Sequence, residues 1–255
     1  MNEKTDTGIV VVIPARYAST RFPGKPLAIV QGKTMIQRVY EQACKASLPD
    51  KVAIATDDER IFEHALSFGA TVFMTDPELP SGTDRCAAVA AHFPGASFII
   101  NVQGDEPFVQ PEQIDLLASV LIDYPEREIA TLAKRIEDPE LLFNPNVVKV
   151  VFSLKNKALY FSRHPVPFVR GAEPGKWLEN QAFFKHIGLY AFKRAVLLEL
   201  SRLAPASLEK AESLEQLRWL ENGYDIAVGI TDTETAGIDT PEDLERVNGE
   251  QSGTK

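Results

Sequence analysis

The chain has 255 residues, 44% of them hydrophobic and 25% charged, with a net charge of -9. That length supports one sizeable core, or a main domain with a small appendage. No apolar run approaches the roughly twenty residues of a membrane span, and the acidic balance argues against non-specific nucleic-acid binding, which rests on neutralising phosphates.

Residues 9–13, Ile-Val-Val-Val-Ile, form an unbroken apolar run, the pattern of a strand buried on both faces. The stretch before it is polar and the run is too short for a signal peptide, so a cytoplasmic protein is expected. Pro14 is expected to stop the strand, because it has no N–H to donate. The loop that follows carries Arg16, Arg21 and Lys25, with Pro23-Gly24 setting a tight turn before the lysine. Ligands of open α/β sheets bind outside the carboxyl ends of the strands, and three cations there suit a polyphosphate; a solvated basic loop is the alternative. Next come an amphipathic helix at 34–46, a strand at 52–55, a helix capped by Asp57, and a strand at 71–74. This alternation implies a parallel sheet with right-handed crossovers. Cys44 and Cys86 lie in helix-like patterns and read as core thiols, which again suits the cytoplasm.

Ser81-Gly82-Thr83-Asp84 opens a helix over 87–92. Its first N–H groups suit an anion or a base edge, or are simply capped. The strand at 97–102 runs into Gln103-Gly104-Asp105-Glu106-Pro107. Asp105, at the tip of a central strand, is placed to hold Mg²⁺ against phosphate oxygens; a turn aspartate is the other reading. Pro111 starts the next helix. Strand-like runs at 129–136, 147–154 and 158–162 have no long helix between them, which implies antiparallel pairing. Segment 164–182, rich in Pro and Gly and carrying Phe168 and Trp177, reads as a loop or flap.

A strand at 184–192 carries His186 and Tyr190. With Arg163 they fall near neighbouring strand ends, where an arginine and a histidine would suit a substrate carboxylate, unless the histidine is structural. One helix is expected over 207–222, with Leu208, Ala211, Leu214, Leu217 and Leu220 as its stripe, Glu215 and Gln216 beside it, and Gly223 as its stop. After a strand at 225–230, Thr240, Pro241 and Asp243 form a capping box. Asp239 is left over as a second metal ligand opposite Asp105. The tail, 249–255, is expected to be disordered.

The P-loop, G-x-G-x-x-G, H-E-x-x-H, Cys-x-x-Cys and Gly-x-Ser-x-Gly patterns are all absent, which weakens kinase, dinucleotide, zinc-hydrolase, redox and esterase readings. The stretch PARYASTRFPGKPL, at 14–27, resembles the nucleotide-binding loop of the sugar-acid cytidylyltransferases, and within them the branch that uses 3-deoxy-manno-octulosonate (Kdo). NVQGDEP, FNPNVVKVV, ALYFSR, HIGLYAF, LEQLR and DTPEDLERV resemble the same family in the same order and span nearly the whole chain. The resemblance implies a single α/β domain over 1–255, Rossmann-like and GT-A-like, with a mainly parallel central sheet and a smaller β-rich dimerisation insertion. Residues 1–128 would be mainly the nucleotide-binding half, 129–192 the β-rich sugar-binding and dimerisation part, and 193–255 the C-terminal helices with the return to the metal site.

It also implies CTP and Kdo as substrates, Mg²⁺ as cofactor, a homodimer without nucleic-acid or membrane partners, and CMP-Kdo as a product for lipopolysaccharide biosynthesis. Ala15, Arg16, Lys25, Ser81, Gly82, Gln103 and Asp105 are then expected at the nucleotide, and Arg163, His186, Tyr190, Glu215 and Gln216 at the sugar. Asp105 and Asp239 would hold the metal, and Lys25, Arg16, Asp105 and Asp239 would be catalytic. The same reaction on 8-amino-Kdo or sialic acid is the near rival, and a non-catalytic nucleotide sensor the distant one.

Overall fold

The computed structural model describes residues 8–18, 22–233, 237–238 and 240–250. Its central strand, β1 (Ile9–Ala15), is buried along its whole length. Ile9, Val11 and Ile13 face one core while Val10 and Val12 face another, as the two-residue period of a strand requires. Contrary to expectation, Pro14 does not end the strand: it pairs in register with Ala55. The ladder to the strand on the other side has already stopped opposite Val12, so no partner needs the missing N–H.

A two-strand hairpin, β2 (Ile29–Val30) and β3 (Lys33–Thr34), turns through Gln31 and Gly32, both at positive φ. Then follow α1 (Met35–Ala43), β4 (Lys51–Thr56), α2 (Glu59–Ser67), β5 (Thr71–Met74), α3 (Gly82–Ala90), β6 (Phe98–Asn101) and α4 (Pro111–Asp123). Several boundaries move. Helix α1 stops at Ala43, leaving Cys44 exposed rather than in the core; Cys86 is buried and both thiols are free. Asp58, not Asp57, caps α2, because Asp57 is drawn to Arg85 at 2.6 Å. Helix α3 begins at Gly82, directly after its Ser81 cap, several residues before the expected start.

The second half contains β7 (Ile129–Ile136), α5 (Pro139–Phe143), β8 (Lys149–Phe152), β9 (Ala158–Ser162), α6 (Trp177–Asn180), β10 (Phe183–Lys193), α7 (Arg194–Leu200), α8 (Ser207–Glu212), α9 (Gln216–Glu221), β11 (Ile226–Ile230) and α10 (Pro241–Glu250). The expected single helix over 207–222 is two, broken at Ser213 with φ 53°. Leu208 and Ala211 are exposed, so the apolar stripe does not continue across the break. Helix α10 opens on the expected box: the Thr240 N–H donates to Asp243 Oδ2 at 3.1 Å, and the Asp243 N–H to Thr240 Oγ1 at 3.2 Å. It runs through Gly249 and Glu250, which were expected in the disordered tail.

The main sheet has the central order β11-β7-β10-β6-β1-β4-β5. Only β10 runs against its neighbours; β7 and β6 both pair antiparallel with it and therefore run the same way as the rest. The sheet is thus mainly parallel. One face is covered by α1, α2 and α4 through Ile36, Val39, Ile61, Ile114 and Leu117. The other is covered by α3, α7 and α9 through Val89, Leu197, Leu217 and Trp219. The hairpin β8–β9 pairs onto β10 beyond the central layer, and β9 pairs with β8 alone. Most of segment 164–182 is loop, anchored by Trp177, whose ring stacks on Phe183 at 6.1 Å. No helix among the described residues is long and apolar enough to cross a membrane.

Candidate active site

Strands β1 and β6 are parallel neighbours, with Val12 opposite Asn101. Their carboxyl ends therefore open side by side, and the loop after each meets the other. Gly24, at φ 73°, returns the first loop by donating its N–H to the Tyr17 carbonyl at 3.0 Å. This aims Lys25 across the gap, where Nζ lies 2.6 Å from Asp105 Oδ2 on the second loop. The lysine side chain is 13% exposed and the aspartate 35%, so the pair sits at a mouth rather than in the core.

Pro14 is the point where three loops touch. A Cβ on Gly104 would stand 2.6 Å from the Pro14 carbonyl oxygen, and one on Gly82 would stand 3.1 Å from Pro14 Cγ and 3.5 Å from Gln103 Oε1. Only small residues allow this approach, which gathers Ala15, Ser81, Gly82, Gln103 and Asp105 at one end of the sheet. Arg16 is exposed, and its fork donates to the carbonyls of Leu79 at 3.4 Å and Pro80 at 2.9 Å. Arg21 lies outside the described residues.

On the far side of β6, His186 and Tyr190 project from β10 with ring centroids 5.3 Å apart. Thr131 Oγ1 lies 2.8 Å from the Leu189 carbonyl, to which it donates, and 2.9 Å from His186 Nε2. The hydroxyl has one hydrogen, so Nε2 carries the imidazole proton and donates to it. Burial against Phe161 and Tyr190 pushes the imidazole down to about 3, so it is neutral at physiological pH. A neutral imidazole can meet a substrate carboxylate only through a hydrogen bond and not as a charge. Tyr190 is buried, its hydroxyl pushed up by burial, and its ring meets the edge of Trp219 at 4.9 Å.

Arg163 is held by backbone carbonyls. Its Nε donates to the Glu212 carbonyl at 2.7 Å, Nη1 to Pro145 at 3.1 Å and Nη2 to Ser213 at 3.3 Å. It clamps the break between α8 and α9. Glu215 points to the start of α3, 3.0 Å from Ser81 Oγ and 2.8 Å from Thr83 Oγ1. Gln216 is buried at the start of α9.

The model of a family described as cytidylyltransferase matches residues 10–226. The chain belongs to the cytidylyltransferase family. Among its relatives is a 3-deoxy-manno-octulosonate cytidylyltransferase of Cytophaga hutchinsonii, 55% identical over 95% of this chain and 97% of that one. Another of the same name, from Parabacteroides distasonis, is 53% identical over 92% and 94% of the two chains. A solved structure of CMP:2-keto-3-deoxy-manno-octonic acid synthetase in complex with CTP superposes with a TM-score of 0.89 at 40% identity, covering 96% of this chain and 98% of that one.

Within this cytidylyltransferase the structure also assembles groups that sequence reasoning passed over. A cleft of about 360 Å³ is lined by Glu106, Asn146, Val148, Lys185, His186 and Gly237. It lies next to Asp105, because the Ile238 N–H donates to the Asp105 carbonyl at 3.1 Å. A larger groove of about 540 Å³, between α4 and β11, shares no residue with the strand-end loops. Arg85, fully buried, donates to Thr75 Oγ1 at 2.7 Å and to the Asp76 carbonyl at 3.1 Å besides pairing with Asp57. It thereby shapes the segment that Arg16 holds. Burial lowers its pKa. A charge on the buried side of α3 was the available signal, as was Lys149 inside the apolar run Val147 to Val151.

Proposed function

We propose that this chain transfers CMP from CTP to the anomeric 2-hydroxyl of Kdo, giving CMP-Kdo and pyrophosphate for lipopolysaccharide biosynthesis. The observation that carries the reading is the Lys25–Asp105 contact of 2.6 Å at the mouth where β1 and β6 end, in a chain of this family. The 2-oxygen of the sugar acid attacks the α-phosphorus in line. The new O–P bond forms as the bond to the α,β-bridging oxygen breaks, and the hydroxyl proton leaves to solvent. No covalent enzyme intermediate is needed.

Lys25 counters the charge that grows on the transferring phosphoryl group and the departing pyrophosphate, as fixed cations do in phosphoryl transfer. Arg16 holds the 79–80 segment and lends its charge to the same mouth. Neutral His186 and the hydroxyl of Tyr190 orient the acceptor by hydrogen bonds, and Glu106, Asn146 and Lys185 line the cleft that receives it. Asp105 suits Mg²⁺ as one oxygen ligand: it presents a partly exposed carboxylate at a strand end, and the chain returns beside it at Ile238. Asp239, the second expected ligand, lies outside the described residues. Held by Asp105, such an ion would supply Lewis-acid charge that lowers the pKa of the attacking hydroxyl.

A homodimer is part of this reading. Strand β9 offers an open edge, Leu159 on it is 60% exposed, and a groove of about 440 Å³ beside it is lined by Val150, Phe152, Val166 and Phe184. A cytoplasmic location follows from the need for CTP. The test is pyrophosphate release from CTP with Kdo, 8-amino-Kdo or sialic acid, with and without Mg²⁺. Release with Kdo that chelation abolishes is expected. Release only with another sugar acid moves the substrate, and CTP binding without release would make the chain a sensor.

A further inference from the structure

The hydrogen count around Ser81 does not close if every nearby carboxylate is ionised. Ser81 Oγ lies 2.6 Å from Asp84 Oδ2 and 3.0 Å from Glu215 Oε1, yet it has one hydrogen to give. Thr83 Oγ1, 2.8 Å from Glu215 Oε2, gives its hydrogen there. With both acids charged, one of the two contacts at Ser81 would set lone pair against lone pair. A proton on Glu215 Oε1 closes the count. Glu215 then donates to Ser81 Oγ, Ser81 donates to Asp84 Oδ2, and the second lone pair of Oγ takes the Asp84 N–H at 3.2 Å.

The proton belongs on Glu215 and not on Asp84. Asp84 Oδ2 also accepts the Ser81 N–H at 3.1 Å and sits in the first turn of α3, where the helix dipole favours an anion. Among the described residues, the groups facing Glu215 are Asp84 and Cys86 from α3, Tyr190 from β10 and Arg218 from α9. The one cation among them is held by Glu209, with Nε at 2.7 Å and Nη2 at 2.5 Å. Burial acts in the same direction, raising the pKa of Glu215. The break at Ser213, clamped by Arg163, is what turns Glu215 away from solvent.

We propose that Glu215 is a proton-holding positioning residue that ties the start of α3 to α9 while keeping one negative charge away from the nucleotide loop. The consequence for CTP rests on the reaction proposed above; the proton itself does not. A group with a raised folded pKa contributes stability that is full below its unfolded value and is lost as pH rises through the folded one.

The experiment compares thermal melts of the wild type and Glu215→Gln from about pH 5 to about pH 9. The amide donates permanently where the carboxyl must stay protonated, so the wild type is expected to lose Tm relative to the variant as pH rises. Parallel melts over the range would overturn the proposal. Direct CTP titration at neutral pH adds a readout that bulk stability does not move. Glu215→Ala is expected to bind about tenfold more weakly than Glu215→Gln, the equivalent of one lost buried hydrogen bond. Equal weakening in both would mean that an ionised Glu215 is required. If no form binds CTP while the melts still diverge with pH, the nucleotide reading fails and the proton stands. If Glu215→Ala does not fold, the comparison of wild type with Glu215→Gln decides alone.

Discussion

Acid should destabilise this protein through His186, and the size of the effect can be worked out. The imidazole titrates at 6.5 when free and at about 3 in its place between Thr131, Phe161 and Tyr190. At pH 7 both states are neutral and the residue is indifferent. Between the two values the unfolded chain takes up a proton that the folded chain refuses, so stability falls as pH drops from about 6.5 towards 3. At pH 4.5 the gap is two units, or about 2.7 kcal/mol at ~1.36 kcal/mol per unit. The ring keeps some contact with the cleft, so about 1–2 kcal/mol is the expected loss. His186→Gln keeps an amide donor for Thr131 and cannot titrate. Urea unfolding at pH 7 and pH 4.5 on both proteins isolates the contribution. If the wild type and the variant lose the same stability over that step, the imidazole is not held neutral by burial.

Three further outcomes are expected. Lys25→Ala should lower the rate of pyrophosphate release about 10²–10³-fold, as removal of a preorganised charge-stabilising group does elsewhere; near-normal turnover would take Lys25 out of the mechanism. Gly104→Ala forces a Cβ to 2.6 Å from the Pro14 carbonyl oxygen, a backbone atom that cannot swing aside, so a loss of about 1–3 kcal/mol by chemical denaturation is expected, and wild-type stability would show that the two loops do not meet this closely. Arg85→Ala strands Asp57 and should cost about 3–5 kcal/mol in the same assay, whereas a loss near zero would mean that the pair is already open to water.

Much of the architecture is local information. Strands at 71–74, 129–136 and 158–162 fall where apolar runs bounded by turn residues place them, because burial of a strand needs little beyond its own side chains and two neighbours. Thr240, Pro241 and Asp243 cap a helix within four residues, so their chemistry is readable without a fold. Gly24 announces its left-handed turn in the same way. The approach of Lys25 to Asp105 was legible only as far as both lie at strand ends; the contact itself needed β1 beside β6.

The tertiary structure decided whatever depended on a partner far along the chain. Pro14 stays in its strand because β6 has already ended beside it. The helix over 207–222 breaks where Arg163, some fifty positions earlier, takes the carbonyls of Glu212 and Ser213, and two of the five residues of an otherwise regular apolar stripe are exposed. Glu215 faces Ser81 and Thr83, more than a hundred positions away, so its neighbours and its proton could not be read from helical periodicity. His186 is neutral because of what surrounds it. Periodicity reports which face of an element is apolar. It carries no information on which distant polar group, or how little water, will meet a given side chain, and these set charge and orientation at a site.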